Sequence, residues 1–201
     1  ANQTTAIGRY GALSGYYFNG KLTGVSFYDY ALSAAQITAL YNSGTPQNPM
    51  AITPPPITYY PLGGSSTGSA TTLTVPNESV PSATVFDFDN LGGTSNDFID
   101  INSLNSNILN SSFTISLWLK KELKPSYTDN DRIIDLTVDA NTSLQIICDN
   151  NSQKFAINFI LSGVSKVNQQ GFNSWASTSN KWNQIVFTWD GSSYVYYFNG
   201  Q

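Results

Sequence analysis

Histidine is absent from this 201-residue chain. Its absence removes Ser-His-Asp and Cys-His catalysis, histidine-ligated zinc and most neutral-pH proton transfer. The single cysteine, Cys148, rules out an internal disulfide framework. It lies in the apolar run LQIIC, which points to a buried structural thiol. Charge is scarce: charged residues make up 11% of the chain, against ~25% in an average soluble domain. The net charge is −4 and Lys and Arg nowhere cluster, so the electrostatic footprint of a nucleic-acid binder is missing. No apolar run approaches the ~18 residues of a membrane span. The leading ANQTTAIG is not built as a signal peptide, though one could have preceded it and been removed.

What fills the polar positions instead is Asn, Ser and Thr, a composition shared by many β-rich extracellular and virion proteins. Apolar residues make up 40%, enough for a sizeable core. The stretch Lys181–Gln201 sets the architecture. Apolar residues alternate through Trp182, Ile185, Phe187 and Trp189, with a slip of phase at Gln184–Ile185. Asp190-Gly191-Ser192-Ser193 then has turn chemistry, and Tyr194–Phe198 returns as an aromatic strand. A hairpin cannot bury its own apolar face, so the rest of the chain must supply its partners.

Taken in order, Thr4–Ile7 reads as a strand followed by a loop through Gly8, Gly11 and Gly15. Leu22–Tyr28 reads as a strand with two different faces. Ala31–Asn42 is the one clear helix, with Ser33 and Gln36 forming a capping box and Asn42-Ser43-Gly44 ending it. Thr45–Pro56, with three consecutive prolines, reads as an extended linker. Further strands are expected at 57–62, 80–89, 96–101, 113–119, 132–138, 143–148 and 155–161, and a polar stretch without a strand at 162–180. About ten short strands and one helix argue an all-β, antiparallel jelly-roll β-sandwich.

Several of these pieces resemble the laminin-G-like, concanavalin A-like lectin jelly-roll family. ITYYPL resembles its opening strand, and ATVFDFD with NDFIDI its paired early strands. SSFTISLWLKK resembles the central strand with its core Trp, and KWNQIVFTWDGSSYVYYFNGQ the late hairpin, with Asn183 or Gln184 where that pattern often has His. YYFNGKLTGVSFYDYALSAAQITALYNSG resembles the closing strand and helix. The closing pieces come first in this chain. The resemblance therefore implies residues 1–44 as the end of a module, 45–56 as a Pro-rich linker, and 57–201 as the opening and centre of a module. A window on tandem modules and a circular permutant both fit that order. Either way, 1–44 is expected to pair with 57–201, within the chain or from a neighbouring copy. The linker and its flanks also resemble tandem modules of marine phage structural proteins. The resemblance implies a non-catalytic structural or adhesion module of a virion surface, fibre or appendage, with other copies, virion proteins and a host surface glycan as partners. A secreted carbohydrate-binding lectin module of a larger extracellular protein is the alternative.

Candidate sites follow from residue chemistry. Asp87, Asp89, Asn96, Asp97 and Asp100 are the densest oxygen cluster, and a Ca²⁺ ion would need six to eight such oxygens to converge. The competing reading makes them solvent-facing strand and turn residues, and no cofactor is required. Glycoside hydrolysis would need two carboxyls facing each other across a cleft. The two glutamates, Glu78 and Glu122, sit in loop sequence and match no such pair, so an enzyme is not expected. Trp118, Trp182 and Trp189 fall in strand patterns and read as core. Trp175, in the polar GFNSWAST, has no apolar row around it. With Asn173, Tyr127 and Tyr10 it forms a candidate glycan-binding rim, the alternative being a loop Trp folded over the core. Sequons occur at Asn2, Asn77, Asn110, Asn141 and Asn150, as an Asn/Ser/Thr-rich chain produces by chance.

Overall fold

The computed structural model describes residues 4–9, 16–62, 86–88, 98–101, 104, 106–122, 130–149, 152–174 and 176–201. They form two antiparallel sheets and one short α-helix, the make-up expected of a jelly roll. The chain divides into two compact units. The first comprises Ala1–Gly20, Phe88–Leu109 and Lys121–Asn180, and the second Lys21–Asp87, Asn110–Lys120 and Lys181–Gln201.

The first unit holds β1 (Thr4–Ile7), β5 (Ile99–Asp100), β7 (Asp131–Asp139), β8 (Thr142–Asp149), β9 (Lys154–Leu161) and β10 (Val164–Ser174), in the order β10-β9-β8-β7-β1-β5. Directly opposed residues share a face, and the register aligns Ile157, Ile146, Ile134, Ile7 and Ile99 in one transverse row. All five are buried. A row of β-branched side chains suits a pleated surface and gives this sheet its apolar face. The stretch expected to be a polar loop, 162–180, instead contributes β10. Its buried apolar residues Val167 and Phe172 sit on opposite phases, because a register shift between Val167 and Gln170 resets the alternation.

The second sheet runs β12 (Tyr194–Phe198), β11 (Trp182–Trp189), β6 (Phe113–Lys121), β2 (Gly20–Tyr28) and β3 (Thr58–Tyr60), with β4 (Phe86–Phe88) also pairing β2. Helix α1 (Ala34–Tyr41) has Ser33 as N-cap with both halves of the capping box formed, and ends at Asn42 in the left-handed conformation. Ile37 and Leu40 pack with Tyr28, Leu32 and Val186, so the helix covers one face of this sheet. Tyr41 stacks on Trp118 at 5.6 Å between ring centroids. Strand β2, read as a strand with two different faces, is buried on both of them. The apparent phase slip at Gln184–Ile185 is no bulge: β11 pairs β6 without interruption from Trp182 to Trp189, and Gln184 is buried on the helix-covered face with Val186. Trp118 and Trp189 are core residues, but Trp182, at the end of its strand, is 37% exposed. The linker is not extended throughout, since Pro49–Ala51 forms a 3-10 turn capped by Asn48.

Residues 1–44 pair with the rest of the same chain: β1 lies between β7 and β5, and β2 between β6 and β3. No helix among the described residues is long and apolar enough to cross a membrane.

Candidate functional site

Three strands of the first sheet each carry one polar residue between two apolar ones: Asp135 in β7, Gln145 in β8 and Asn158 in β9. Alternation turns all three away from the isoleucine row. Register then lines them up, Asn158 against Gln145, Gln145 against Asp135, Asp135 against Ala6, and Ala6 against Asp100. Neighbouring strands lie ~4.8 Å apart, so the row from Asn158 to Asp100 extends roughly 19 Å across the sheet. Thr137 and Ser143 form a second polar pair one step along.

Within this row Asp135 is fully buried. It accepts from Thr137 Oγ1 at 2.6 Å and from Gln145 Nε2 at 3.3 Å. A buried carboxylate needs such donors, and in return it orients them. With the Gln145 NH₂ turned to Asp135, the amide oxygen of Gln145 points the other way. Gln145, Asn158, Thr137 and Ser143 are all half-buried. The row therefore offers amide and hydroxyl groups at strand spacing on one face of the sheet.

Asp100 ends the row. It is exposed and pairs with Arg9, Nη2 to Oδ1 at 2.9 Å. The Arg9 guanidinium lies 3.4 Å from the centroid of the Phe98 ring, a cation–π contact that fixes the pair in place. Asp100, expected as part of a calcium cluster, is thus engaged by a cation of the protein itself. Asp87 lies in β4, and its side chain is outside the described residues. Asp89, Asn96 and Asp97 lie outside them altogether. Among the described residues no group of three or more acidic or thiol side chains is placed to hold a metal. Of the expected glycan rim, Asn173 is exposed on β10, while Trp175, Tyr127 and Tyr10 are outside the described residues.

Other polar groups have structural roles. Lys121 Nζ meets Asp131 Oδ2 at 2.5 Å, with side chains 1% and 6% exposed. Burial pushes the thiol of Cys148 well above its ordinary range, so it is an inert, neutral group. Burial likewise raises the Tyr28 phenol. Backbone amides of Ser193 and Ser192 hold the Asp190 carboxyl below its usual range at the hairpin turn.

Asp135, Gln145 and Asn158 were not singled out from the sequence. The signal was present as IDL, LQI and INF, one polar residue flanked by apolar ones on three successive strands. It becomes a site only once the register aligns them.

Comparison with curated proteins and with solved structures found no match. The profile of the concanavalin A-like lectin/glucanases superfamily matches residues 92–201, which include five of the six strands of the first sheet and the β6–β11–β12 part of the second. A match across more than half of the sequence, on two antiparallel sheets of this kind, places the chain in the concanavalin A-like lectin/glucanases superfamily.

Proposed function

We propose that this chain is a non-catalytic recognition and adhesion module that binds uncharged, hydroxyl-rich glycans on the polar face of its first sheet. The observation that carries the reading is the aligned row of Asn158, Gln145 and Asp135, with Thr137 beside it. Amides and hydroxyls can donate to and accept from sugar hydroxyls, and a preoriented sheet loses little entropy when it does so. The scarcity of charge supports an uncharged ligand. Asn173 sits on the same sheet, and Trp175, Tyr127 and Tyr10, outside the described residues, are kept as candidates for ring stacking. Hydrolysis is disfavoured because the two acids of the row are committed, Asp135 to Thr137 and Gln145 and Asp100 to Arg9.

The Asn/Ser/Thr-rich, weakly charged composition further suits a virion surface, fibre or appendage, where copies pack closely, and a host surface glycan as the ligand. The polar row serves equally in a lectin module of a larger extracellular protein.

A glycan array with the purified chain tests the binding, alongside Gln145→Ala, Asn158→Ala and Trp175→Ala. Hits that weaken at least tenfold in the Gln145 and Asn158 variants are expected. Retention in EDTA would separate this face from a calcium site at Asp87, Asp89, Asn96, Asp97 and Asp100. An array without hits, or hits unmoved by all three substitutions, removes the proposal.

A further inference from the structure

We propose that residues 1–44 are an exchangeable donor segment, able to complete the sheets of a second copy of this chain and so join copies into an assembly. The position of its strands carries the inference. Both β1 and β2 are interior, β1 between β7 and β5 and β2 between β6 and β3. Withdrawing the segment frees the edges of β7 and β6 and leaves the end strands β5 and β3 without the strand they pair with, a ready-made template for the same segment of another copy. The same sequence from a second copy fits there with its own core side chains. Ile7, Phe18, Leu22, Phe27, Tyr28 and Ile37, all fully buried, come from this segment.

Charge points the same way. The segment carries Arg9 and Lys21 against Asp29, so it is net +1, and the rest of the chain is net −5 of the total −4. One of its cations, Arg9, already pairs with Asp100 across the boundary.

The linker supplies the swing point. Up to Pro54 it is fastened to the donor segment: the Tyr30 hydroxyl donates to the Pro54 carbonyl, and Gln36 Nε2 to the Thr53 carbonyl at 3.1 Å. From Ile57 onward it is fastened across the boundary, the Ile57 amide donating to the Phe27 carbonyl at 2.8 Å. Pro55-Pro56 lies between the two anchored parts. The contacts of the closed and exchanged forms are identical, so the balance is set by concentration. A short linker gives the chain's own segment an effective concentration on the order of 1 mM. Exchange that passes from copy to copy is a heterologous contact, which closes into rings or runs on as a filament.

The test uses the full chain and the register pair Thr4 and Thr137. Thr4→Cys is made in one copy and Thr137→Cys in a second, tagged copy. The two are unfolded together under reducing conditions, refolded at protein concentrations from about 1 μM to about 1 mM, and oxidised once folded. Buried Cys148 stays out of the native-state reaction. A mixed disulfide that grows with refolding concentration is expected, and the double variant refolded dilute should close the bond internally. If the internal bond forms and the mixed one is absent throughout the range, the segment does not exchange. If the internal bond also fails to form, β1 is not in this gap and the proposal falls with it.

Discussion

Lys121 and Asp131 allow the packing argument to be tested quantitatively. The two side chains meet at 2.5 Å and are 1% and 6% exposed. Lys121 Nζ also donates to the Asn19 carbonyl at 3.4 Å and lies 5.7 Å from the Phe18 ring centroid, while Asp131 stands opposite Cys148 in the β7–β8 register. Water therefore cannot replace a lost partner. Removing one member of such a pair leaves a buried charge without its counterion, which costs about 3–5 kcal/mol. Replacing both by apolar residues of similar volume is close to neutral, because the desolvation cost of the two ions disappears with their attraction. Lys121→Met alone should thus lower Tm by roughly 6–20 °C, taking ~2–4 °C per kcal/mol for a chain of this size. Asp131→Leu should do the same, and the double variant should return close to the starting stability. Urea denaturation followed by the fluorescence of buried Trp118 and Trp189 measures all four corners of the cycle. A single-variant cost below ~1 kcal/mol, or a double variant as unstable as the two singles summed, would refute the assignment of these charges as one desolvated unit.

Three further outcomes follow from local geometry. Gly8 has φ +89°, and a Cβ there would lie 2.2 Å from Phe88 Cε1, so Gly8→Ala should destabilise by at least ~1 kcal/mol in the same assay, and by less in a Phe88→Ala background. Ser33→Ala removes the N-cap of α1 and should cost about 0.5–2 kcal/mol, with loss of protection at the Gln36 amide in hydrogen exchange. Cys148 should resist thiol reagents until the chain unfolds. Because burial raises its folded pKa, the unfolded chain loses the thiol proton first, near pH ~8.5. Stability should fall as pH rises beyond that point, by up to ~1.4 kcal/mol per pH unit, and Cys148→Ala should remove that part of the slope.

How legible each element was depended on how local its cause is. The capping box of Ser33 and Gln36 lies within four residues, so the helix could be read directly. So could the hairpin turn, where Asp190 Oδ1 accepts from the Ser192 and Ser193 amides. Strand β10 could not. It is an edge strand with bulges, held by pairing to β9, and its own alternation is broken. Strands β2, β6 and β11 are buried on both faces, and the cover that α1 gives one of them is not visible in any window of sequence around the strands. Trp182 departs from its pattern for the opposite reason: its strand is apolar, but it stands at the strand's end and is exposed. The polar row needed register as well as alternation, because Asp135, Gln145 and Asn158 stand apart in sequence and meet only through two strand pairings.

Charge is scarce, and six of the described carboxylates can be followed to their partners, an accounting that favours an uncharged ligand. Asp100 holds Arg9, and Asp131 holds Lys121. Asp139, Asp149 and Asp190 cap turns through the backbone amides of Asn141, Ser152 and Ser192. Asp135 fixes Thr137 and Gln145. Acids used this way shape the backbone and orient neighbouring side chains. Converting any of them to proton transfer or metal ligation would first require breaking a bond that the fold uses. The groups that the proposed face would turn toward a ligand are instead the half-buried amides and hydroxyls of Gln145, Asn158, Thr137 and Ser143. Binding through such groups is nearly independent of ionic strength, since no counterions are released and no charge is screened. A glycan affinity that fell steeply between low and high salt would therefore contradict this face as the site, even if binding itself were found.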